Sequence, residues 1–328
     1  MRANRRNHHQ KGAAHIVALW MLVLLTVIVV GFAHSVSNSL YFKRLLDARL
    51  DARHVAEAGI DLALGLISTD FEYTVEHCGS ILAFSQNTEP GERLRLINSI
   101  GSQLDSLSWI SLTDEQGKLN LNVASEAELM RIPGVNNELA ASIIDWRDAD
   151  NDVQSGGAES DYYRSLLCPY ECKNLPFESI EELLLVKGAN PVLFEQINTF
   201  LTVYGDGRIN INATSPQVLV AMGLEESLAG RLVKFRFGPD GITGTDDDFV
   251  FSEPDSIEVQ IARNIMLDTD EKNQIRSLVV ADRFCTHPRF LRVKSSGLSE
   301  RLSVRSRITT VIEITKSGRI HTLFWSES

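Results

Sequence analysis

The feature that most constrains the fold is an apolar run at residues 13–33, in which His15 and Thr26 are the only polar side chains. At the helical rise of ~1.5 Å per residue, this run spans about 30 Å, the hydrocarbon thickness of a bilayer. A buried helix of a soluble protein seldom runs so far without a charged residue. The run therefore predicts a single transmembrane helix.

The residues on either side of this run set its orientation and its length. Residues 1–12 hold four basic residues and no acid, so the positive-inside rule predicts a cytoplasmic N-terminus and an exported C-terminal part. The run exceeds the h-region of about 7–15 residues found in cleaved signal peptides. Apolar residues then recur at helical spacing as far as Ile67, without a proline from Ala13 onward. We expect one continuous helix that leaves the membrane and becomes amphipathic outside it.

Composition limits the functions that the chain can have. Its net charge is −11, which weighs against a nucleic-acid partner, because binding a polyanion requires clustered Lys and Arg. The sequence contains no Gly-x-Ser-x-Gly elbow, Walker A loop or His-Glu-x-x-His motif. Its many carboxylates would suit a glycosidase, but they fall in hydrophilic loops without an apolar pocket that would raise the pKa of an acid. We interpret the chain as a non-enzyme.

Residues 118–129 and 208–219 form an internal repeat that aligns without a gap. Each copy predicts a short β segment followed by a helix that has a serine as its N-cap. In the first copy, a glutamate three residues after the serine completes a capping box. The recurring residues are Asn120, Asn122, Ser125 and Leu129 in the first copy and Asn210, Asn212, Ser215 and Leu219 in the second.

Two helical hairpins are predicted in the same part of the chain. One follows the first repeat copy and turns at Ile-Pro-Gly-Val, and a weaker one spans 179–197 with Lys187-Gly188 at its turn. The first resembles the helix-hairpin-helix motif, which often clamps the backbone of duplex DNA. Across 125–148, however, Arg131 and Arg147 are outnumbered by acids, which makes a poor surface for phosphate. We expect a packed helical scaffold. The alternative is a membrane-anchored helix-hairpin-helix DNA-binding protein of a competence-type system.

Two loops, 148–163 and 237–255, concentrate carboxylates around glycine. In the first, the acids have the spacing of EF-hand ligand positions 1, 3, 5 and 12, although Val153 stands where the loop glycine would be. Hard oxygen ligands on flexible loops favour Ca²⁺, and the lack of His and Cys in both loops disfavours zinc. The sequence therefore predicts calcium, with candidate ligands Asp148, Asp150, Asp152, Glu159, Asp161, Asp240, Asp246, Asp247 and Asp248.

The last part of the chain predicts a sheet. From Phe290 onward, three runs rich in β-branched residues alternate apolar and polar side chains. They are separated by short segments at Gly297 and Gly318. Such a pattern predicts an antiparallel meander.

The N-terminal residues that carry this organisation resemble those of type IV pilins. In that family a short basic leader is cut on the cytoplasmic side of the membrane by a prepilin peptidase. The resemblance implies cleavage between Gly12 and Ala13 and N-methylation of the new Ala13 amine. Most pilins have Glu at the fifth mature position, where this sequence has Val17. This departure and the helical insert are similar to the GspK family of minor pseudopilins of type II secretion, whose members lie at the filament tip.

The resemblance covers essentially the whole chain and implies an α+β, pilin-like fold. A long N-terminal helix would pack on an antiparallel sheet, and a large all-α insert with helix-hairpin-helix-like units would interrupt that domain. The implied divisions are a leader at 1–12, the N-terminal helix at 13–70, a first pilin part at 71–117, the helical insert at 118–250 and the remaining pilin part at 251–328.

Function, partners and location are also implied by the resemblance. The chain would be a structural component of the pseudopilus that exports proteins across the outer membrane, with calcium in its insert and no nucleic acid as partner. It would assemble with the I-type and J-type minor pseudopilins in a tip complex. It would cross the bacterial inner membrane once, with its C-terminal domain in the periplasm.

The four cysteines are an even number, which suits disulfides in an exported protein. Cys168 and Cys172 bracket three residues and are close enough to bridge, which would leave Cys78 to pair with Cys285. Four cysteines allow three connectivities, so the other two pairings remain open.

Overall fold

The structure, a computed structural model, describes residues 6–69, 106–241, 248–299, 302–315 and 317–328. It begins with helix α1 (Arg6–Thr69), which is continuous over 64 residues, as the absence of proline predicts. Within the described ranges, it is the one helix long and apolar enough to cross a membrane. Gly12 and Ala13 lie within this helix.

The two halves of α1 have different surroundings. Apolar side chains from Ile16 to Phe42 are exposed all round the helix, as expected for a segment whose solvent is lipid. From Ala48 onward one face is buried, and its members recur three or four residues apart. They are Ala48, Ala52, Ala56, Ile60, Ala63 and Ile67.

This buried face packs on a four-stranded antiparallel sheet. Its strands are β1 (Ser106–Asp114), β6 (Phe290–Ser299), β7 (Val304–Ile314) and β8 (Ile320–Glu327), in the order β1-β6-β7-β8. The predicted C-terminal meander is present, and β1 joins it as an edge strand that sequence analysis did not identify. Apolar residues such as Leu291, Val293 and Ile312 form a core with the second half of α1.

The helix and sheet touch most closely at Gly297 of β6. A Cβ at this position would lie 2.7 Å from the Ala56 nitrogen and 3.0 Å from the Val55 Cβ, and closer still to the Ala52 carbonyl oxygen. Sequence analysis placed Gly297 in a turn between two strands, but it lies inside β6. Its role is to let the helix backbone approach the strand.

Two helical units lie between β1 and β6. The first comprises β2 (Leu119–Asn120), α2 (Glu126–Met130), α3 (Asn137–Arg147), α4 (Ser160–Arg164), a 3₁₀ turn (Ile180–Leu185), α5 (Pro191–Ile197) and β3 (Leu201–Thr202). The second comprises β4 (Ile209–Asn210), α6 (Pro216–Ala221), α7 (Glu226–Arg236), a 3₁₀ turn (Pro254–Ser256), α8 (Ile257–Asn264), α9 (Thr269–Val280) and β5 (Phe284–Cys285). They share one apolar core.

The units repeat the same connections. In the first, β2 pairs with β3 in parallel, and in the second β4 pairs likewise with β5. Asn122 Nδ2 donates to the carbonyls of Phe177 and Val203, and its Oδ1 accepts from the Phe177 N–H. The repeat-related Asn212 makes the same three bonds with Phe251 and Thr286. The short predicted repeat is thus the beginning of a larger structural one.

The second unit corrects the expected end of the insert. We expected the pilin part to resume at 251, but α8, α9 and β5 belong to the second unit and its core. The helical part therefore extends to Cys285, and the sheet resumes at Phe290. Residues 257–283 are rich in charged and amide side chains and form two helices, and the sequence analysis did not predict these helices.

Within the first unit, the two predicted hairpins resemble each other. Ser125 and Ser179 both begin their hairpins with capping boxes. Both turns contain a glycine with positive φ, Gly134 at +90° and Gly188 at +86°. A Cβ on Gly134 would lie 2.8 Å from Leu193 Cδ1, so the first turn packs against α5 of the other hairpin. The hairpins therefore cover each other's turns.

The sheet meets both units at two buried acids, Asp114 at the end of β1 and Glu115 directly after it. Asp114 accepts from the Gln116 N–H at 2.8 Å and from Asn210 Nδ2 of the second unit at 2.7 Å. Glu115 accepts from Thr202 Oγ1 of the first unit at 2.5 Å and from Arg292 of β6 at 2.6 Å. Hydrogen bonds satisfy both carboxylates, as burial of acids requires.

Candidate metal centre

The first acidic loop begins where α3 ends. Asn136 caps α3 by accepting from the Leu139 N–H, and Arg147 in its last turn donates to the carbonyls of Leu121 and Ala124. This contact fixes the end of the helix against the first repeat segment. The chain then leaves the helix in an extended conformation at Asp148 and returns to start α4 at Ser160.

Three predicted ligands converge in this loop. Carboxylate oxygens of Asp148, Asp150 and Glu159 lie within 4.8 Å of one another. These residues occupy positions 1, 3 and 12 of the EF-hand-like spacing. The loop brings them together because its ends are held by α3 and α4.

Glu159 is the most buried member of the cluster. It stands at the N-cap of α4 but makes no capping bond, and only 3% of it is exposed. Among the described residues, neither of its carboxylate oxygens accepts a hydrogen bond of full geometry, and the polar groups beside them are the weak Cys172 thiol donor and the Ser160 N–H. Asp148 Oδ1 likewise has no hydrogen-bond partner there. Buried carboxylate oxygens without donors are costly unless a cation neutralises them.

Burial and like charge raise the pKa values of Glu159 and Asp148. Burial is the largest cause for both Glu159 and Asp148, and repulsion from neighbouring carboxylates adds to it. For Glu159 these neighbours are Asp145 and Asp148, and for Asp148 they include Asp150. A divalent cation bound among these oxygens would reverse the shift.

Asn174 is a further residue at this site that sequence analysis missed. Its Oδ1 is buried without a hydrogen-bond partner, while its Nδ2 donates to the Asp150 carbonyl and to Asn151 Oδ1. Amide oxygens are ligands that Ca²⁺ accepts. Its backbone has a positive φ of 48°, which asparagine tolerates better than most side chains, but no local sequence pattern marks it as a ligand.

The other predicted ligands lie elsewhere. Asp161 is exposed, 3.8 Å from Arg164, and Asp152 donates its backbone N–H to Asp150 Oδ1 without joining the cluster. In the second loop, Asp246 and Asp247 lie outside the described residues. Asp240 and Asp248 belong to no cluster of three ligands within the described ranges, and Asp248 acts electrostatically on the buried Arg236.

The two acidic loops hold equivalent places in the two units. Each follows an 11-residue helix whose last arginine binds a carbonyl of the preceding repeat segment. Arg236 donates to the Ile211 carbonyl at 2.5 Å, as Arg147 does to Leu121. Burial lowers the pKa of Arg236 to about 10.

The cysteines depart from the predicted pairing. Cys168 is exposed and Cys172 is buried, and both are free thiols, as is Cys285. The expected Cys168–Cys172 bridge is therefore not formed. The Cys172 thiol lies instead 3.5 Å from the Asp145 carbonyl, beside the cluster. Cys78 lies outside the described residues, and its predicted partner Cys285 is a free thiol, so the expected pairing of these two is not formed either.

The exposed apolar helix on an antiparallel sheet, interrupted by helical units, defines a pilin-like membrane-anchored protein. A solved structure with this fold is that of the GspK-GspI-GspJ complex from the type 2 secretion system of enterotoxigenic Escherichia coli. It matches 84% of this chain and 99% of the solved chain, with a TM-score of 0.53 and 16% identity.

Sequence comparison finds similar proteins of type II secretion systems. Residues 104–206 match the family model of the type II secretion system (T2SS), protein K. The type II secretion system protein K of Pseudomonas aeruginosa is 25% identical over 264 residues, 73% of this chain and 75% of that protein. Over most of its length, this chain is therefore similar to type II secretion system protein K.

A second kind of relative matches a smaller part of the chain. The endonuclease/exonuclease/phosphatase family domain-containing protein 1 of Danio rerio is 29% identical over 142 residues. The match covers 37% of this chain and spans only 22% of that protein's length.

Proposed function

We propose that this protein is a minor pseudopilin at the tip of the type II secretion pseudopilus, with a structural and non-catalytic role. The observation that carries the proposal is which end of the sheet the helical units join. The end that they do not join is identified by two contacts with α1. Arg53 of α1 pairs with Glu327 of β8 at 2.9 Å, and Gly297 lies against Ala52 and Ala56. That end of the sheet faces the membrane half of α1.

The helical units join the sheet at the opposite end, after Asp114 and before Phe290. There the second half of α1, as far as Ile67, packs with Leu291. The units would therefore cover the end of the subunit farthest from the membrane. A subunit stacked above would have no place to insert its own helix, which supports a tip position.

The proposal includes processing and location. A prepilin peptidase would cut between Gly12 and Ala13, and the Ala13 amine would be methylated. The protein would stay in the inner membrane through the apolar half of α1, with the sheet and helical units in the periplasm. The basic residues at 1–12 support this orientation.

Minor pseudopilins of the I and J types would be its partners, because the similar E. coli protein GspK forms a complex with GspI and GspJ. Leu46 and Leu50 remain exposed just beyond the apolar half of α1, where a partner helix could pack. We expect Leu46→Asp to reduce co-purification of both partners with the full chain in detergent. Val280→Asp, a change at an exposed residue of α9, should leave co-purification intact. Equal recovery with both variants would contradict this interface.

The same geometry argues against the DNA-binding alternative. A helix-hairpin-helix motif contacts phosphate through its turn, but the Gly134 turn packs against Leu193. The chain also carries an excess of acids, which repels a polyanion. The match to the endonuclease/exonuclease/phosphatase family domain-containing protein 1 of Danio rerio covers only 22% of that protein, so it gives little support to a nucleic-acid function. No nucleic acid is therefore proposed as partner.

We further propose that the cluster of Asp148, Asp150 and Glu159 binds Ca²⁺. The unsatisfied oxygens of Glu159, Asp148 and Asn174 support it. All are oxygen ligands, which suits Ca²⁺ rather than zinc. A bound ion would hold the loop between α3 and α4 in place.

Calcium titration of the full chain tests this site through the rise in Tm that ligand binding produces. We expect Glu159→Gln to weaken the apparent affinity about tenfold or more. Asp161→Asn, which changes an exposed acid outside the cluster, should behave like the wild type. A calcium-dependent rise that survives Glu159→Gln unchanged would overturn the proposed site.

A further inference from the structure

A cavity of about 210 Å³ lies between the sheet and the first helical unit. It shares no residue with the acidic cluster. Its lining combines hydroxyl groups with two cations and one acid: Ser179, Ile180, Glu181, Tyr204, Arg292, Lys294, Thr309, Phe324 and Ser326.

The sheet supplies a polar row for the floor of this cavity. Lys294 on β6 pairs in register with Thr309 on β7, which pairs with Ser326 on β8. Directly opposite residues on antiparallel strands share a face, with Cβ atoms about 4.5–5.5 Å apart. The alternate residues of β6, Leu291 and Val293, belong to the core with α1. The row is therefore on the sheet face opposite α1.

The basic residues around this cavity differ in whether an acid pairs with them. Arg292 binds Glu115 at 2.6 Å and lies 5.9 Å from the Tyr204 ring. Glu115 is also the partner of Lys118 at 2.9 Å. Lys294 makes no ion pair with any acid in the described part of the chain, although Glu181 lines the same cavity and is itself exposed.

The side chain of Lys294 is exposed, and two other cations act on it electrostatically. Partial burial lowers the pKa of Lys294, and repulsion from Arg292 and Lys118 lowers it further. Because Lys294 lines the cavity, is exposed and has no acid paired with it among the described residues, its ammonium group is accessible to an anion that enters the cavity. Such an anion would stabilise the ammonium form, because an opposite charge within a few ångströms does so.

We propose that this cavity is a binding site for a small free oxyanion of the carboxylate or phosphate class. Lys294 would form the ion pair, and the hydroxyl groups of Thr309, Ser326 and Ser179 would donate hydrogen bonds. Ser179 begins the second hairpin of the first unit, whereas the other three residues belong to the sheet. The bound anion would tie the helical unit to the sheet.

Titration calorimetry of the full chain in a non-ionic detergent tests the proposal, with succinate and inorganic phosphate as probes at constant ionic strength. We expect saturable binding of at least one probe at millimolar concentration. Lys294→Gln should weaken it about tenfold, the loss expected for a charge-assisted hydrogen bond. Lys234→Gln, at an exposed lysine of α7, should bind as the wild type does.

A second measurement separates binding from folding. Without the probe, Lys294→Gln should be at least as stable as the wild type, because the substitution removes a repelled charge. With the probe, only the wild type and Lys234→Gln should gain stability. Binding of neither probe to the wild type, or equal stabilisation of Lys294→Gln and wild type, would overturn the proposal.

Discussion

At the scale of single residues, two adjacent acids have opposite electrostatic outcomes. Burial raises the pKa of Asp114 to about 7, because its partners are the neutral Asn210 side chain and a backbone N–H. Burial would raise the pKa of Glu115 as well, but Lys118 and Arg292 outweigh it, and the net shift is downward. The partners, rather than the depth of burial, decide which acid keeps its charge at neutral pH.

This difference predicts a pH dependence of stability that Asp114 causes. Its folded-state pKa lies above its unfolded value, so between about pH 4 and pH 7 the folded state binds more protons. The free energy of unfolding should then fall as pH rises, by up to about 1.4 kcal/mol per pH unit, and level off above the folded-state pKa. Asp114→Asn, which still offers Asn210 an acceptor, should remove this contribution.

Chemical denaturation at several pH values between 4.5 and 8 (roughly the window set by the two pKa values) measures it. The difference in unfolding free energy between Asp114→Asn and wild type should grow in favour of the variant as pH rises. Asp270→Asn, at an exposed position of α9, should follow the wild-type profile. A constant difference between Asp114→Asn and wild type would show that Asp114 keeps an ordinary carboxyl pKa.

At the scale of elements, the packing of α1 on β6 depends on a glycine, Gly297, which has no side chain. Gly297 allows the helix backbone to lie against the strand, and its neighbours there are backbone atoms of Ala52 and Ala56. Backbone atoms cannot rotate away as the end of a long side chain can. The row of alanines on α1 serves the same close approach from the helix side.

We therefore expect Gly297→Ala to destabilise the protein by about 1–3 kcal/mol, the range for overpacking a well-packed interface. Gly230→Ala is the matched control. A Cβ there meets nothing within 4 Å, and alanine in the interior of α7 should stabilise by up to about 1 kcal/mol. Thermal and denaturant unfolding measure both. A Gly297→Ala protein as stable as the wild type would contradict the close contact.

The elements also show what the sequence could predict. The first half of α1 follows from its unbroken apolar run, whereas its second half and the strands from Phe290 onward follow from periodicity, because one face of each is buried. The second unit was assigned wrongly beyond 250 because α8 and α9 carry few apolar residues, such as Ile257, Ile261 and Ile275. These helices pack in one core with the first half of the unit, and a local sequence pattern holds no information about such distant contacts.

The limit of local sequence patterns also applies to the candidate metal site. Spacing correctly brought Asp148, Asp150 and Glu159 together, because a loop between two helices has few ways to close. It could not separate them from Asp152 and Asp161, which belong to the same loop but point elsewhere. Asn174 joins the site from a distant position in sequence, and only the tertiary fold brings it there.

At the scale of the whole molecule, the protein divides its tasks along its length. The exposed apolar half of α1 serves as the membrane anchor, the second half holds the sheet, and the helical units occupy the far end. The junction at Asp114 and Glu115 connects the sheet to both units at once. A rigid junction would let the units form a defined end to a filament.

The most direct test of the tip assignment is immunogold labelling of pseudopili that contain this protein. A short epitope can be inserted beside Met266, which is 95% exposed in the second unit, and the tagged protein must first support secretion. The account predicts a label at one end of each filament, distal to the membrane, while a tagged major pseudopilin labels the shaft. Repeated labelling of this protein along the shaft would contradict the tip assignment.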